Sequence, residues 1–523
     1  RREPGAEARP HRRTRHRGRR TSRRHPARHR AAALRAVPGE LAGTHRLSPG
    51  SQRPGHDPAA RGRPAAAGAE ADARRRRHPL RRPEERLAAL DQWPPRCDRR
   101  PRRPPGADER TLCRDGRGRD RRVARTLHLQ RTDPPMSSPP LKIVIAGAGI
   151  GGLAAAACLK AAGFEVELYE RARELRAVGS ALSLMPNALT ALERVGVRPD
   201  LTRAQAFDSL RFLTRRGRPI RAIDFGGLAR QLGQPSLAIH RASLQQALLE
   251  QARDCRIELG VSATGYLRHA DGEGVTVLCS DGREVHADVL IGADGFNSAI
   301  RATMTGPERP TDWHYVIWRA TPAFRHPKVT PGYVAHYWGR GQRFGLADIG
   351  EGNVYWWGTR NMPAEQAKDW RGGKAGIQRL YAGWADEVQA VIEATPEADI
   401  SSLPAQDRPF LERWGDGPVT LLGDAAHPML TSLGQGAAIA IEDAAVLAHC
   451  LATIDDPQAA LRAYENRRRD RARAMVETSR ALSRIEQLEH PLRTVARDLY
   501  FRFAPERTFA RQNELALTFP GVE

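Results

Sequence analysis

Cysteine is scarce in this 523-residue chain, with six residues scattered as Cys97, Cys113, Cys158, Cys255, Cys279 and Cys450. No two of them form a Cys-x-x-Cys pair. The spacing supports neither a zinc site nor a disulfide framework, and it predicts a reducing, cytoplasmic setting. No uninterrupted apolar run reaches the ~20 residues of a membrane span. Nothing ahead of the first strand resembles the apolar core of a secretory signal. A further absence is local: residues 1–135 contain no Lys, Ile, Phe, Tyr, Asn or Met. Such a segment cannot bury a core and is expected to be disordered by itself.

The formal net charge of +24 points at first to nucleic acid or an anionic membrane. Its distribution says otherwise. Residues 1–135 hold 38 Arg against 15 Asp and Glu, whereas the remainder holds 46 basic against 45 acidic residues. The part able to fold is almost neutral, so no nucleic-acid partner is expected. The residue types missing from the first 135 positions are those with A- and T-rich codons. Met136-Ser137-Ser138-Pro139-Pro140 then stands just ahead of the first strand. Residues 1–135 therefore read as a disordered Arg/Pro-rich extension, the product of a misplaced start site.

What is present begins at Leu141. Ile143 to Ala146 is a short apolar, β-branched run, the composition of a buried parallel strand. It enters Gly147-Ala148-Gly149-Ile150-Gly151-Gly152, a G-x-G-x-x-G, followed by an Ala-rich helix to Ala162. A second strand, Glu165 to Tyr169, ends in Glu170-Arg171. In this arrangement Gly147 makes the tight turn, Gly149 lets backbone approach a pyrophosphate, and Gly152 lets helix and strand pack closely. The helix N-terminus offers free N–H groups to phosphate, and Glu170 can accept hydrogen bonds from a ribose.

Further along, Pro186 and Gly196 punctuate a short helix, and Ser209 to Asp224 reads as a hairpin turning at Arg216-Gly217. Ile239 to Leu248 reads as an amphipathic helix with Arg241 near its beginning. A buried strand, Asp288 to Ile291, leads into Gly292-Ala293-Asp294-Gly295. From Trp313 to Trp357, five Trp and four Tyr fall in alternating patterns, predicting a twisted antiparallel sheet with an aromatic face. Val419 to Leu422 is another buried strand, entering Gly423-Asp424-Ala425-Ala426-His427-Pro428. Gly434-Gln435-Gly436 then opens a long helix to Leu451, and Pro457 to Arg484 reads as a second.

The glycine turn with Glu170, the Arg241 helix, Gly292-Ala293-Asp294-Gly295 and Gly423-Asp424-Ala425-Ala426-His427-Pro428 resemble, in order and spacing, the FAD-dependent class A monooxygenases of the aromatic-hydroxylase type. The similarity runs from about Leu141 to about Arg480. It implies an α/β fold: a Rossmann-like FAD-binding domain with a small β-meander, interleaved with a mixed or antiparallel substrate sheet, plus C-terminal helices. The FAD-binding parts would be residues 136–205, 239–309 and 404–453. The substrate sheet would use residues 206–238 and 310–403, and residues 454–523 would be helical.

By this resemblance Gly147, Gly149, Ile150, Gly151, Gly152, Glu170 and Arg171 hold the ADP half of FAD. Arg241 contacts the flavin side, while Asp294 and Gly295 lie by the pyrophosphate. Gly423 and Asp424 reach the ribityl chain, and Gly434-Gln435-Gly436 faces the flavin ring. NADPH or NADH reduces the flavin transiently, without a Rossmann unit of its own, and O2 then adds at the flavin C4a. Trp318, Tyr337, Trp356 and Thr431 are expected to wall a pocket for a small aromatic substrate, with His427 and Arg319 as candidate polar catalytic groups. No metal is expected, and the enzyme would work as a monomer or homodimer.

Two positions depart from the family's pattern. Thr431 stands where a proline is common, and Gly179-Ser180-Ala181-Leu182 replaces Gly-x-Gly-Ile; both border the ring, which leaves the substrate type open. Gly339-Arg340-Gly341-Gln342 also looks like carotenoid epoxidases, so epoxidation of an alkene or a larger metabolite is the alternative. The Trp-x-Trp-x-Ile-Pro motif of flavin halogenases is absent. Residues 136–523 expressed alone are expected to remain soluble and yellow; a colourless or insoluble product would show that residues 1–135 are needed.

Overall fold

The computed structural model describes residues 141–175 and 180–523, all within one compact unit, Gly116–Glu523. The expectations for residues 1–135 and for Gly179 lie outside the described residues. Strand β1 (Lys142–Ala146) enters α1 (Ile150–Ala161) through the glycine turn, and β2 (Glu165–Glu170) returns beside it. Then come β3 (Ala181–Leu184), α2 (Pro186–Arg194), β4 (Gln205–Ala206), β5 (Ser209–Thr214), β6 (Pro219–Asp224) and α3 (Phe225–Leu232). Next are β7 (Leu237–His240), α4 (Arg241–Gln251) and β8 (Arg256–Leu259). Ile239 and His240, expected in a helix, are thus strand, and the helix starts at Arg241. His240 caps it, accepting from the Ala242 N–H at 3.3 Å.

A small meander follows, β9 (Ala263–Arg268), β10 (Val275–Cys279) and β11 (Glu284–Ala287), before β12 (Val289–Gly292) and α5 (Ala299–Thr305). The aromatic region forms β13 (Thr311–Ala320), β14 (Val334–Trp338), β15 (Gln342–Asp348) and β16 (Val354–Asn361). Helices α6 (Ala364–Lys368), α7 (Gly373–Leu380) and α8 (Asp386–Ala394) lead to β17 (Ser401–Asp407), β18 (Gly415–Asp416) and β19 (Val419–Leu421). Four helices end the chain: α9 (Gly436–Thr453), α10 (Pro457–Glu486), α11 (Pro491–Phe503) and α12 (Glu506–Leu517).

Two sheets position the site. The first has the order β18-β19-β12-β1-β2-β8 and is parallel except for β18. Ile143 to Ala146 and Val289 to Ile291 are buried, the apolar run that a parallel strand covered on both faces requires. Ala154 to Ala157 on α1 are small and buried, which lets α9 pack closely against them.

The second sheet has the order β17-β13-β16-β15-β14-β5-β6. Alternation sends Val316, Trp318 and Ala320 of β13 to one face and Ile317 and Arg319 to the other. The first face is closed by α7 and α8. There Trp318 lies 4.7 Å from the Trp370 ring, Phe344 stacks on Trp356 at 5.3 Å, and the Tyr337 hydroxyl donates to Glu387 at 2.8 Å. The expectation that Trp318, Tyr337 and Trp356 wall a substrate pocket is therefore corrected: all three are fully buried in this core. The opposite face carries Tyr355 and Trp357, stacked at 5.2 Å and packed against the core of the first sheet. Trp357 can lie flat there because Gly345 has no Cβ; one would stand 2.0 Å from the indole.

Helix α9 is long and apolar enough by itself to cross a membrane, but 72% of it is buried inside the protein. Its two acids are neutralised in the core. Asp443 pairs with Arg468 of α10 at 2.7 Å, and Glu442 pairs with Arg468 at 2.7 Å and Arg471 at 2.8 Å. Burial pushes the Asp443 carboxyl upward, but His427 and Arg468 outweigh it and hold it below the usual range. Removing one partner leaves a buried charge uncompensated. Arg468→Met is expected to cost about 3–5 kcal/mol in urea unfolding of the flavin-stripped chain; a loss below about 1 kcal/mol would mean that Glu442 and Asp443 are not left as uncompensated buried charges.

Candidate functional site

The site begins where β1 ends. Gly147 has φ +98°, and a Cβ there would lie 2.6 Å from the Ala293 carbonyl oxygen; one on Gly152 would lie 1.9 Å from the Gly147 oxygen. Side chains at either position would prise apart β1, β12 and α1. Gly149 differs, because a Cβ there would meet nothing within 4 Å. Its bare side faces open space at the head of α1, where the first N–H groups have no helical partner. Gly151 is a packing glycine, with Leu422 2.9 Å from its would-be Cβ, and Ile150 is buried.

Glu170 closes one side of this turn. Its carboxylate accepts the Ala148 N–H at 2.8 Å and the Ala172 N–H at 2.9 Å, one bond to each oxygen. Each oxygen keeps a lone pair for a further donor. Arg171 is exposed beside it. Asp294 touches the turn from the other side, its Cα 2.9 Å from a would-be Gly147 Cβ. Its Oδ2 accepts the Ala299 N–H at 2.7 Å and so braces α5, while its Oδ1 is buried without a partner. Burial raises its carboxyl pKa.

Helix α4 links this end to the next. Gln245 donates to the Ala148 carbonyl at 3.1 Å. Arg241, four residues earlier and on the same helix face, is exposed; burial raises the Asp424 carboxyl pKa, and His427 and then Arg241 pull it back only in part. The Asp424 carboxylate is surrounded by protein atoms yet reached by solvent, the setting of a recessed cleft. Its Oδ1 lies 3.9 Å from a would-be Cβ on Gly436, the first residue of α9. The unpaired N–H groups of that helix, beside Gly434 (φ +66°), thus face the same cleft. Gly423 donates its N–H to Asp443 at 3.2 Å, and Gly295 turns the chain after β12 with φ +80°.

Two expected site side chains, His427 and Gln435, point into the core, and two others, Arg319 and Thr431, lie at the second sheet. His427 is buried, with Nε2 bonded to Asp443 at 2.6 Å, so it faces the core and not the cleft. The Gln435 side chain is also buried, accepting from Asn187 at 3.0 Å, which leaves only its backbone near the cleft. Arg319 lies on the Tyr355 face of the second sheet, with Nε donating to Ser401 at 3.2 Å. Thr431 is exposed, in the loop whose Leu430 packs on Tyr315 and Ile317 of that face. Gln245, which bonds the glycine turn, was not expected from the sequence; only its four-residue spacing from Arg241 could have flagged it.

Residues 141–479 match the FAD binding domain family FAD_binding_3. The chain belongs to this family. Among its relatives, the aurachin C monooxygenase/isomerase of Stigmatella aurantiaca is 35% identical over 374 residues, 71% of this chain and 96% of the relative. The FAD-dependent urate hydroxylase of Klebsiella pneumoniae is 32% identical over 344 residues, 64% of this chain and 88% of the relative. The fold is similar to that of Klebsiella pneumoniae HpxO solved with FAD and uric acid, with a TM-score of 0.68 and 29% identity over 73% of this chain and 97% of that one. The chain is thus an FAD-dependent monooxygenase.

The residues present fit that cofactor. The open Gly149 face and the α1 N-terminus suit phosphate, Glu170 suits a ribose, and Asp424 suits a polyol. Gly149→Ala should leave stability little changed, since a Cβ there meets no protein atom within 4 Å, yet weaken FAD binding at least about tenfold. Unchanged flavin content after dialysis would show that no phosphate approaches Gly149.

Proposed function

We propose that the chain hydroxylates a small aromatic or heteroaromatic ring, consuming O2 and NADPH or NADH. The observation that carries this reading is the stacked pair Tyr355 and Trp357, on the sheet face against which the loop Leu430–Leu433 lies, directly before Gly434 and α9. A flat, electron-rich ring suits an aromatic wall, and such a wall excludes water without adding charge. Urate, which the relative from Klebsiella pneumoniae hydroxylates, is a flat heteroaromatic.

Bound FAD supplies the two-electron reduction and the activation of O2. The chain's own residues hold, orient and exclude. Arg319 stands beside the Tyr355 hydroxyl, where burial raises the phenol pKa and Arg319 and Arg343 lower it. A guanidinium there offers donors to a phenolate or carboxylate on the ring. The N-terminus of α9 places a positive dipole end at the cleft, which favours an anionic ring system next to it. The four described cysteines, Cys158, Cys255, Cys279 and Cys450, are free thiols, which suits a reducing cytoplasm.

The test is a screen of aromatic acids and N-heterocycles, following NADPH and NADH oxidation together with the hydroxylated product. At least one ring should raise the oxidation rate about tenfold or more with product formed near one to one. A rate that no aromatic changes would contradict the reading. Tyr355→Leu should raise the KM for the active ring roughly tenfold with FAD content unchanged.

A further inference from the structure

Helix α11 carries an apolar stripe that nothing among the described residues covers. Leu492, Val495, Leu499 and Phe503 recur at spacings of three and four, with Tyr500 beside them, and are 75%, 56%, 50%, 73% and 51% exposed respectively. Exposed apolar residues scattered singly need no explanation, but a run along one helix face does. The helix is not loose. Its other face is fixed by Phe501, 4.7 Å from the Trp338 ring and 5.2 Å from Phe509, and by Arg497 over Trp338 at 4.6 Å.

At 100° per residue, Arg493 and Arg502 fall on opposite flanks of the stripe. Both are exposed, and neither has an ion-pair partner among the described residues. The only acid on α11, Asp498, is taken by Arg497 at 2.8 Å. Strand β6, on which α11 packs, begins at a hairpin turn with exposed Arg215, Arg216 and Arg218, also without acid partners among the described residues. Glu489 and Glu506 lie beyond the two ends of the helix and do not interrupt the stripe.

We propose that this face docks reversibly on an anionic lipid surface, with α11 lying in the headgroup region. Apolar side chains between rows of arginine are what such a surface accepts: the stripe enters the acyl boundary and the guanidiniums meet lipid phosphates. Charge argues against the other occupants. Two-fold pairing with a second copy would set arginine flanks against each other. One helix face also covers less than the ~800 Å² per partner of a standard interface. Residues 1–135, with 38 Arg against 15 acids, would be repelled in the same way.

The experiment sediments the full-length, flavin-loaded chain with vesicles of phosphatidylcholine containing about 30% phosphatidylglycerol, alongside L499E/F503E. The basic first 135 residues are in both proteins, so binding through them cancels in the comparison. The parent is expected to bind at least about fivefold more tightly than the variant, and to bind pure phosphatidylcholine more weakly. Equal binding of parent and variant overturns the proposal. So does light scattering without lipid in which the parent is a dimer and the variant a monomer, because the stripe is then a self-interface. Flavin content reports folding of the variant; if it falls, L492Q/V495Q provides the same comparison.

Discussion

The contact on which the rest depends is the crossing of backbone at the end of β1. Gly147 passes under the Ala293 carbonyl, and α1 starts so close behind that a Cβ on Gly152 would lie 1.9 Å from the Gly147 oxygen. With no side chains in the way, β1, β12 and α1 meet at one point. The N-terminus of α1 is then aimed into the cleft, and Glu170 and Asp294 are brought to either side of the turn. Backbone N–H groups held this way cost nothing to reorganise when an anion arrives.

The far end of the cleft is fixed by a different force. Helix α9 is nearly all apolar, which alone would let it slide; Glu442 and Asp443, buried and paired to Arg468 and Arg471, give it one register. Asp443 also takes His427 and the Gly423 N–H, so the strand-end segment bearing Asp424 is tied to the same point. Asp424 and the head of α9 therefore reach the cleft together. Buried ion pairs add little net stability but specify position, which is what a cofactor ring needs from its surroundings.

Much of the cofactor end was legible from the chain because it depends on local rules: strand, glycine turn, helix, strand and acid. Asp424 was singled out only through the family resemblance; the strand before it fixes where the turn begins but not where the carboxylate points. The aromatic sheet was less legible. Both its faces are covered, so alternation separates Trp356 from Trp357 without saying which one packs toward the first sheet. A register shift in β13 between Asp312 and Val316, with His314 at φ +56°, also breaks any count from the strand's start. His427 illustrates a related limit: a motif places a residue on a turn, but only packing shows that its ring points inward to Asp443.

In the proposed arrangement a single cleft holds the adenosine diphosphate half of the cofactor at α1 and the ring half at α9. Titration of the flavin-stripped chain with FAD and with FMN, followed by calorimetry, tests it most directly. FMN keeps the ring and ribityl groups but lacks the adenylate that the glycine turn and Glu170 would hold. FAD is expected to bind at least about a hundredfold more tightly, a difference of ~2.7 kcal/mol. Equal affinities would mean that the glycine turn holds no part of the cofactor, and the site would have to lie elsewhere.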